Sequence, residues 1–230
     1  KHVILPPTGI AAINAGGSTL HSFFRIPFHP LLPNDNKYSP RNIRKTLKYS
    51  SNHSKLLREL ELIIIDEISM VRADIIDFID KVLRIYCRNM REPFGGKQLL
   101  LVGDRFQLEP VLKEDERRLL QPFYASSYFF AAKVFQEMHL VSIELRKVYR
   151  QTDSEFIGIL DRIRNKTARK IDIKKLNARV NAELNIGNNN LAITLASRRD
   201  TVDWINEQRL EELEGNSSVF NGTITGDFPE

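Results

Sequence analysis

Residues 62–70 read Leu-Ile-Ile-Ile-Asp-Glu-Ile-Ser-Met, an aliphatic run that ends in two adjacent carboxylates, Asp66 and Glu67. Two acids side by side at the end of a strand can divide the work of nucleotide hydrolysis. One holds a magnesium ion, and its neighbour orients or deprotonates the attacking water. The plainer alternative is a strand that runs out into an acidic loop. A continuous apolar run rich in β-branched residues predicts a strand buried on both faces, as in a parallel α/β sheet. Open sheets of that kind bind ligands at the C-terminal ends of their strands, which is where the acid pair would lie.

The elements that must position these acids are legible as alternating patterns. Val3-Ile4-Leu5 predicts a short strand, followed by the loop Pro6-Pro7-Thr8-Gly9, and residues 10–15 predict one or two helical turns ended by Gly16-Gly17. Pro27, Pro30, Pro33 and Pro40 predict irregular structure over 25–40, an insertion on the domain surface. Val71, Ile75, Ile76, Ile79, Val82, Leu83 and Tyr86 recur at helical spacing and predict an amphipathic helix over about 71–88. Phe94-Gly95-Gly96-Lys97 predicts a turn, and 98–102 a second buried strand ending in Gly103-Asp104. Strands are also expected at 140–145 and 191–195, and helices after capping boxes at Thr152/Glu155 and Ser197/Asp200. Strands alternating with helices predict a parallel sheet.

Composition narrows the function classes. The 230 residues are 42% hydrophobic with a net charge of +5. A pI near 9.3 points to an acidic partner such as nucleic acid. The single cysteine, Cys87, excludes a disulfide framework within the chain and predicts a reducing compartment. No apolar run approaches the roughly 18 residues of a membrane span, so no membrane partner is expected. The chain starts without Met just ahead of a strand and without a signal-peptide layout, which predicts a fragment of a larger protein.

Several residues could face nucleic acid. Thr8 and Gly9 sit where a hydroxyl and backbone amides can bond phosphate, and His21 and Phe23 can stack on or hydrogen-bond to unpaired bases. Core packing is the alternative for Phe23. Between positions 37 and 58 stand Lys37, Arg41, Arg44, Lys45, Lys48, Lys55 and Arg58 with no acidic residue. This segment reads either as a solvated helix face or as a phosphate-facing patch, with Arg41, Arg44 and Lys45 as its centre. Gly95-Gly96-Lys97 reads either as a plain turn or as an approach to the nucleic-acid backbone through Lys97.

Four segments then line up in order: Pro-Thr-Gly-Ile-Ala-Ala at 7–12 with Thr-Leu-His-Ser-Phe at 19–23, Asp-Glu-Ile-Ser-Met at 66–70, Gly-Asp-Arg-Phe-Gln-Leu at 103–108 and Tyr-Arg-Gln at 149–151. Together they resemble the Pif family of DNA helicases, relatives of RecD within helicase superfamily 1, over nearly the whole chain. The stretch 70–88 also resembles that family's signature helix. The resemblance implies an α/β fold of the P-loop NTPase (RecA-like) type, a parallel sheet flanked by helices. An incomplete first domain would span 1–145, with a basic insertion near 25–60, and part of a second RecA-like domain would span 146–230. It implies ATP and Mg2+ as cofactors, single-stranded DNA and fork or tailed duplex DNA as partners, 5′-to-3′ movement, and a monomer. Carried onto this sequence, Asp66 would hold Mg2+, Glu67 would activate water, Gln107 would contact the γ-phosphate or the water, and Arg150 would act as an arginine finger. Asp104 stands open between a catalytic and a turn role.

Departures matter equally. The family's phosphate loop, Gly-x-x-x-x-Gly-Lys-Ser/Thr, does not occur in these 230 residues, because Gly96-Lys97 is followed by Gln98 and has Arg91 in the first glycine's place. Arg72, Arg105 and Glu109 stand where the family commonly has an acid, an apolar residue or proline. Residues 222–229 resemble a point ahead of the family's last motifs. Two function classes therefore remain: part of an ATP-driven DNA helicase, or a non-catalytic nucleic-acid-binding module with a degenerate helicase fold. A nucleotide-dependent oxidoreductase is disfavoured, since no Gly-x-Gly-x-x-Gly follows a strand.

Overall fold

The computed structural model describes residues 1–180, 193–213, 215, 218 and 220–223. Strands β1 (His2–Ile4), β2 (Leu62–Ile65) and β3 (Gln98–Leu101) form one sheet in the order β1-β2-β3. Both pairings are parallel, with Ile4 opposite Ile64 and Ile65 opposite Leu101. The expected parallel α/β sheet is present, and the strand that ends in the acid pair lies at its centre.

Helices α1 (Gly9–Asn14) and α2 (Leu20–Phe24) follow β1, and α3 (Ile43–Leu47) and α4 (Ser51–Glu59) lead into β2. Helix α5 (Ala73–Tyr86) crosses from β2 to β3, and α6 (Glu114–Leu120) and α7 (Ser154–Arg164) come after β3. These elements lie in a compact unit, Lys1–Thr167. A second unit, Ala168–Glu230, contains α8 (Lys170–Asn177) and α9 (Arg199–Glu211). In that unit the buried Asp172 caps α8 by accepting the Arg169 backbone N–H at 2.9 Å.

The apolar stripe read from the sequence is what builds the core. Ile75, Ile76, Ile79, Val82, Leu83 and Tyr86 of α5 are buried in one cluster with Ile63 and Ile65 of β2. The turn Pro93–Gly96 packs on α5 so closely that a Cβ on Gly95 would lie 2.7 Å from the Leu83 carbonyl oxygen. Gly95 also has φ +64°, so only glycine fits on both counts. Asp80 ties the same turn down, accepting the Phe94 backbone N–H at 2.6 Å and the Arg84 Nε–H at 2.9 Å.

Several expectations are corrected. β2 is buried on one face only: Ile63 and Ile65 are enclosed, while Leu62 and Ile64 are half-buried. β3 is half-open, with Leu100 exposed, because it pairs only with β2 among the described residues. The strand expected at 140–145 does not form. Val141, Ile143 and Leu145 are 82%, 82% and 89% exposed, and an apolar alternation without a neighbouring strand to complete its hydrogen bonds stays irregular. The strand expected at 191–195 begins outside the described residues, and its described part, 193–195, has no strand pairing.

The caps also differ. Asp153, not Thr152, caps α7 by accepting the N–H groups of Glu155 and Phe156, because a carboxylate one residue closer reaches both. Ser197 does not cap α9; Arg198 holds that position, and its guanidinium takes the Asp200 carboxylate. Finally, residues 25–40 are no surface appendage, since Ile26, Leu31 and Tyr38 are buried in the main cluster.

Candidate nucleotide site and nucleic-acid surface

The ends of β2 and β3 are stitched together beyond the strands. Val102 N–H donates to the Ile65 carbonyl at 2.9 Å, and Ile68 N–H donates back to the Val102 carbonyl at 3.0 Å. Asp66 and Glu67 lie between those two bonds. Glu67 is forced into the left-handed region, φ 50° and ψ 44°. A non-glycine residue held there costs on the order of 1–3 kcal/mol, and such strain persists where surrounding structure over-determines it. Here the determinants are the Ile68–Val102 bond and the buried turn Ile68–Met70 that follows. Gly103 presses on the same turn: a Cβ on it would lie 2.9 Å from Ile68 N.

Asp66 and Glu67 are both half-buried. One Asp66 oxygen, Oδ1, accepts the Glu67 backbone N–H at 2.9 Å. Its Oδ2 accepts no hydrogen bond among the described residues. Behind the pair, the Ser69 hydroxyl is fully buried and has no hydrogen-bond partner there.

The loop after β3 is organised by Asp104. Its carboxylate accepts the Phe106 backbone N–H at 3.0 Å and the Gln107 Nε2 at 3.4 Å. Arg164, in the last turn of α7, adds a bidentate pair at 2.6 and 2.7 Å. Burial alone would raise the Asp104 pKa; the Phe106 N–H, the Arg164 charge and the Gln107 amide outweigh it and hold the carboxyl below its ordinary value. Asp104 thus anchors the turn, as its turn reading expects. Arg164 went unnoticed in the sequence, where its only signal is a basic residue at the end of a capped helix. Arg164 and Arg105 both lie over the Phe106 ring, at 5.0 and 4.8 Å from its centroid. Glu109 accepts from the Tyr128 hydroxyl at 3.4 Å.

The structure therefore brings Gln107 onto the loop beside the end of the acid-bearing strand. Arg150 is exposed, with no ion pair or hydrogen bond among the described residues, and precedes a helix of 11 residues that ends at Arg164.

The proposed nucleic-acid residues divide. Thr8 caps α1 through its hydroxyl, accepting Ala11 N–H at 3.4 Å, and Gly9 is the first residue of that helix rather than part of the loop. Leu20 N–H donates to the Pro6 carbonyl at 2.9 Å, which places the start of α2, and so His21, beside the Thr8 loop. The His21 ring stacks on Phe28 at 5.6 Å and 8°. Burial, reinforced by the Arg72 charge and opposed by Asp74, lowers the His21 pKa and favours the neutral ring.

Phe23 instead packs against the core, between Phe24 and His53, which is its plainer reading. Arg44 is committed to the fold: it donates to the Ile85 carbonyl at 2.6 Å and lies over Tyr86. Arg41 and Lys45 stay exposed. Lys97 donates to the Arg58 carbonyl at 2.7 Å and precedes β3. In a parallel sheet that is the opposite edge from Thr8, so Lys97 is not brought together with the others.

Arg72 also finds its role. It forms a buried, bidentate pair with Asp74 at 2.9 and 2.8 Å, and Asp74 accepts the Leu31 N–H at 2.9 Å.

Residues 2–173 match the family described as PIF1-like helicase. The Saccharomyces cerevisiae ATP-dependent DNA helicase RRM3 is 32% identical over 220 residues, covering 94% of this chain and 28% of its own. The human ATP-dependent DNA helicase PIF1 is 34% identical over 214 residues, covering 93% and 30%. A crystal structure of Pif1 helicase from Bacteroides in complex with ADP-AlF3 and ssDNA matches with a TM-score of 0.84 at 42% identity, over 94% of this chain and 48% of that one. Pif1 helicase from Candida albicans matches at 0.78 and 28% identity, over 100% and 48%. The chain thus spans under a third of these curated relatives and about half of these solved chains.

Proposed function

The chain belongs to the PIF1-like helicase family, and on that footing we propose that it forms part of the motor of an ATP-dependent DNA helicase that moves 5′-to-3′ on single-stranded DNA and separates fork or tailed duplex. The observation that carries this reading is the acid pair at the C-terminal end of the central parallel strand, with Glu67 locked in a left-handed conformation. Residues 1–145 are proposed as first-domain sequence and 146–230 as part of the second RecA-like domain.

The donor set fits a nucleotide-bound Mg2+. Among the described residues there is no group of three or more His, Cys, Asp or Glu side chains able to hold a metal. Mg2+ rarely needs one, since it keeps waters and binds through one or two carboxylates plus substrate phosphates. Asp66 offers the carboxylate, with Oδ2 uncommitted. Bound Mg–ATP would supply the transferable phosphoryl group and the charge that neutralises its oxygens. Glu67 would accept the proton of the attacking water, Gln107 would orient that water or the γ-phosphate, and Arg150 would stabilise charge on the transferring group. On the DNA side, Thr8 with the first amide of α1 at Gly9, and exposed Arg41 and Lys45, would meet phosphates, and His21 a base.

Because the 230 residues contain no phosphate-loop motif, the isolated chain should hydrolyse ATP negligibly. Burial raises the pKa of the half-buried Cys87 thiol. The decisive test is Glu67→Gln in the complete protein. ATP binding should persist while DNA-stimulated turnover falls about a hundredfold or more, the usual loss for a positioned base. A near-parental rate would assign the base elsewhere.

A further inference from the structure

We propose that the outward face of Phe28 is a stacking site for one unpaired nucleobase of single-stranded DNA. This rests on the DNA reading above and adds a residue that no motif marks.

A single exposed phenylalanine is ordinary. Phe28 differs in how it is held. The residue is 87% exposed, and its ring lies offset and nearly parallel to that of His21, at 5.6 Å between centroids. The chain on either side is pinned. Before it, Ile26 is buried and its N–H donates to the His21 carbonyl at 2.9 Å. After it, the buried Leu31 donates its N–H to Asp74, and Arg72 reaches the His29 carbonyl at 3.5 Å. A ring displayed on a loop fixed at both ends loses little freedom when a flat partner stacks on it.

The neighbourhood selects the occupant. His21 starts from a helix tied to the Pro6 carbonyl, one residue from the Pro7-Thr8 turn. The Thr8 cap and the His21–Phe28 pair are thus joined through the Leu20–Pro6 hydrogen bond, and on the DNA reading a phosphate would meet the first and its base the second. Base–aromatic stacking also tolerates any sequence, since every base has a π-face.

The test uses the complete protein and an oligothymidylate carrying 2-aminopurine at successive positions, whose fluorescence is quenched by stacking. The parent should quench the probe at one position more than at its neighbours. Phe28→Ala should weaken binding about 5- to 150-fold, the range for losing one stacked base, and abolish that extra quench. Phe28→Tyr should keep both. Phe28→Leu, which retains apolar bulk without a π-face, should behave like the alanine variant. Parental affinity and quench in Phe28→Ala, or full rescue by leucine, would overturn the stacking site while leaving the helicase reading intact. Failure of the parent to bind single-stranded DNA would overturn both. Exposure of the ring means none of these variants threatens the fold.

Discussion

Asp74→Ala should be the most damaging single change at the start of α5. The Arg72 and Asp74 side chains are 10% and 0% exposed. Removing the carboxylate deletes both bonds to Arg72 and the acceptor of the Leu31 N–H. It leaves a guanidinium buried without a counter-charge, and breaking a buried pair in this way typically costs about 3–5 kcal/mol. The orphaned N–H alone is worth roughly 1–3 kcal/mol, but part of that is already contained in the first figure. Against a total stability of about 5–15 kcal/mol for a domain, the loss is a large share. It should lower Tm by roughly 6–20 °C at ~2–4 °C per kcal/mol. Urea denaturation with an unchanged m value isolates the stability term. The double variant Arg72→Met, Asp74→Leu removes both charges and should be more stable than Asp74→Ala, keeping chiefly the cost of the unpaired Leu31 N–H. The reasoning fails if Asp74→Ala loses less than about 1 kcal/mol, or if the double variant is no more stable than the single one.

Arg164→Ala should remove up to about 1 kcal/mol at pH 7, since the pair with Asp104 is partly exposed. The Asp104 pKa is depressed below 3.8 in the fold, so its contribution is present above that value and lost as pH falls through the folded pKa. The gap between variant and parent in urea titrations should shrink in acid; a gap that widened there would contradict the assignment. Arg150→Ala in the complete protein should lower kcat ~10³-fold or more with nucleotide affinity retained. Lost affinity at unchanged kcat would make Arg150 a ground-state binder. Arg41→Ala with Lys45→Ala should make the salt dependence of DNA binding shallower by up to roughly 1.4 logarithmic units, at about 0.7 per contact. Adding Arg44→Ala should change stability rather than slope, and a further change in slope would return Arg44 to the phosphate-facing set.

What was legible in the sequence was local. The aliphatic run before Asp66 and the helical spacing from Ile75 to Tyr86 are patterns within one element, and both elements formed, although β2 is enclosed on one face rather than two. What escaped was set by partners far away in the chain. Asp74 finds Leu31 across 43 positions, and Arg164 finds Asp104 across 60. Whether 140–145 becomes a strand depends on a neighbour, and its own alternation of apolar residues supplies none. Lys97 and Gly9 both look like basic or flexible turn residues in sequence. Only the parallel pairing puts them at opposite edges of the sheet.

The same reasoning explains why Arg72 is tolerated where an acid was expected. A residue at this point of the chain must complete the buried start of α5, and what that place requires is a satisfied pair rather than a charge of one sign. Arg72 with Asp74 supplies the pair within two residues, and the antiparallel bridge from Arg72 to Tyr128, with Ala73 N–H on the Ser127 carbonyl, fixes the backbone beneath it. Between Glu67 and Asp74 the chain is buried or hydrogen-bonded at nearly every position. One short packed stretch thus joins the strained acid at the end of β2 to the carboxylate that pins the Phe28 loop. Neither end can be repositioned without disturbing this packed turn, because packed interiors relax only partially around a change.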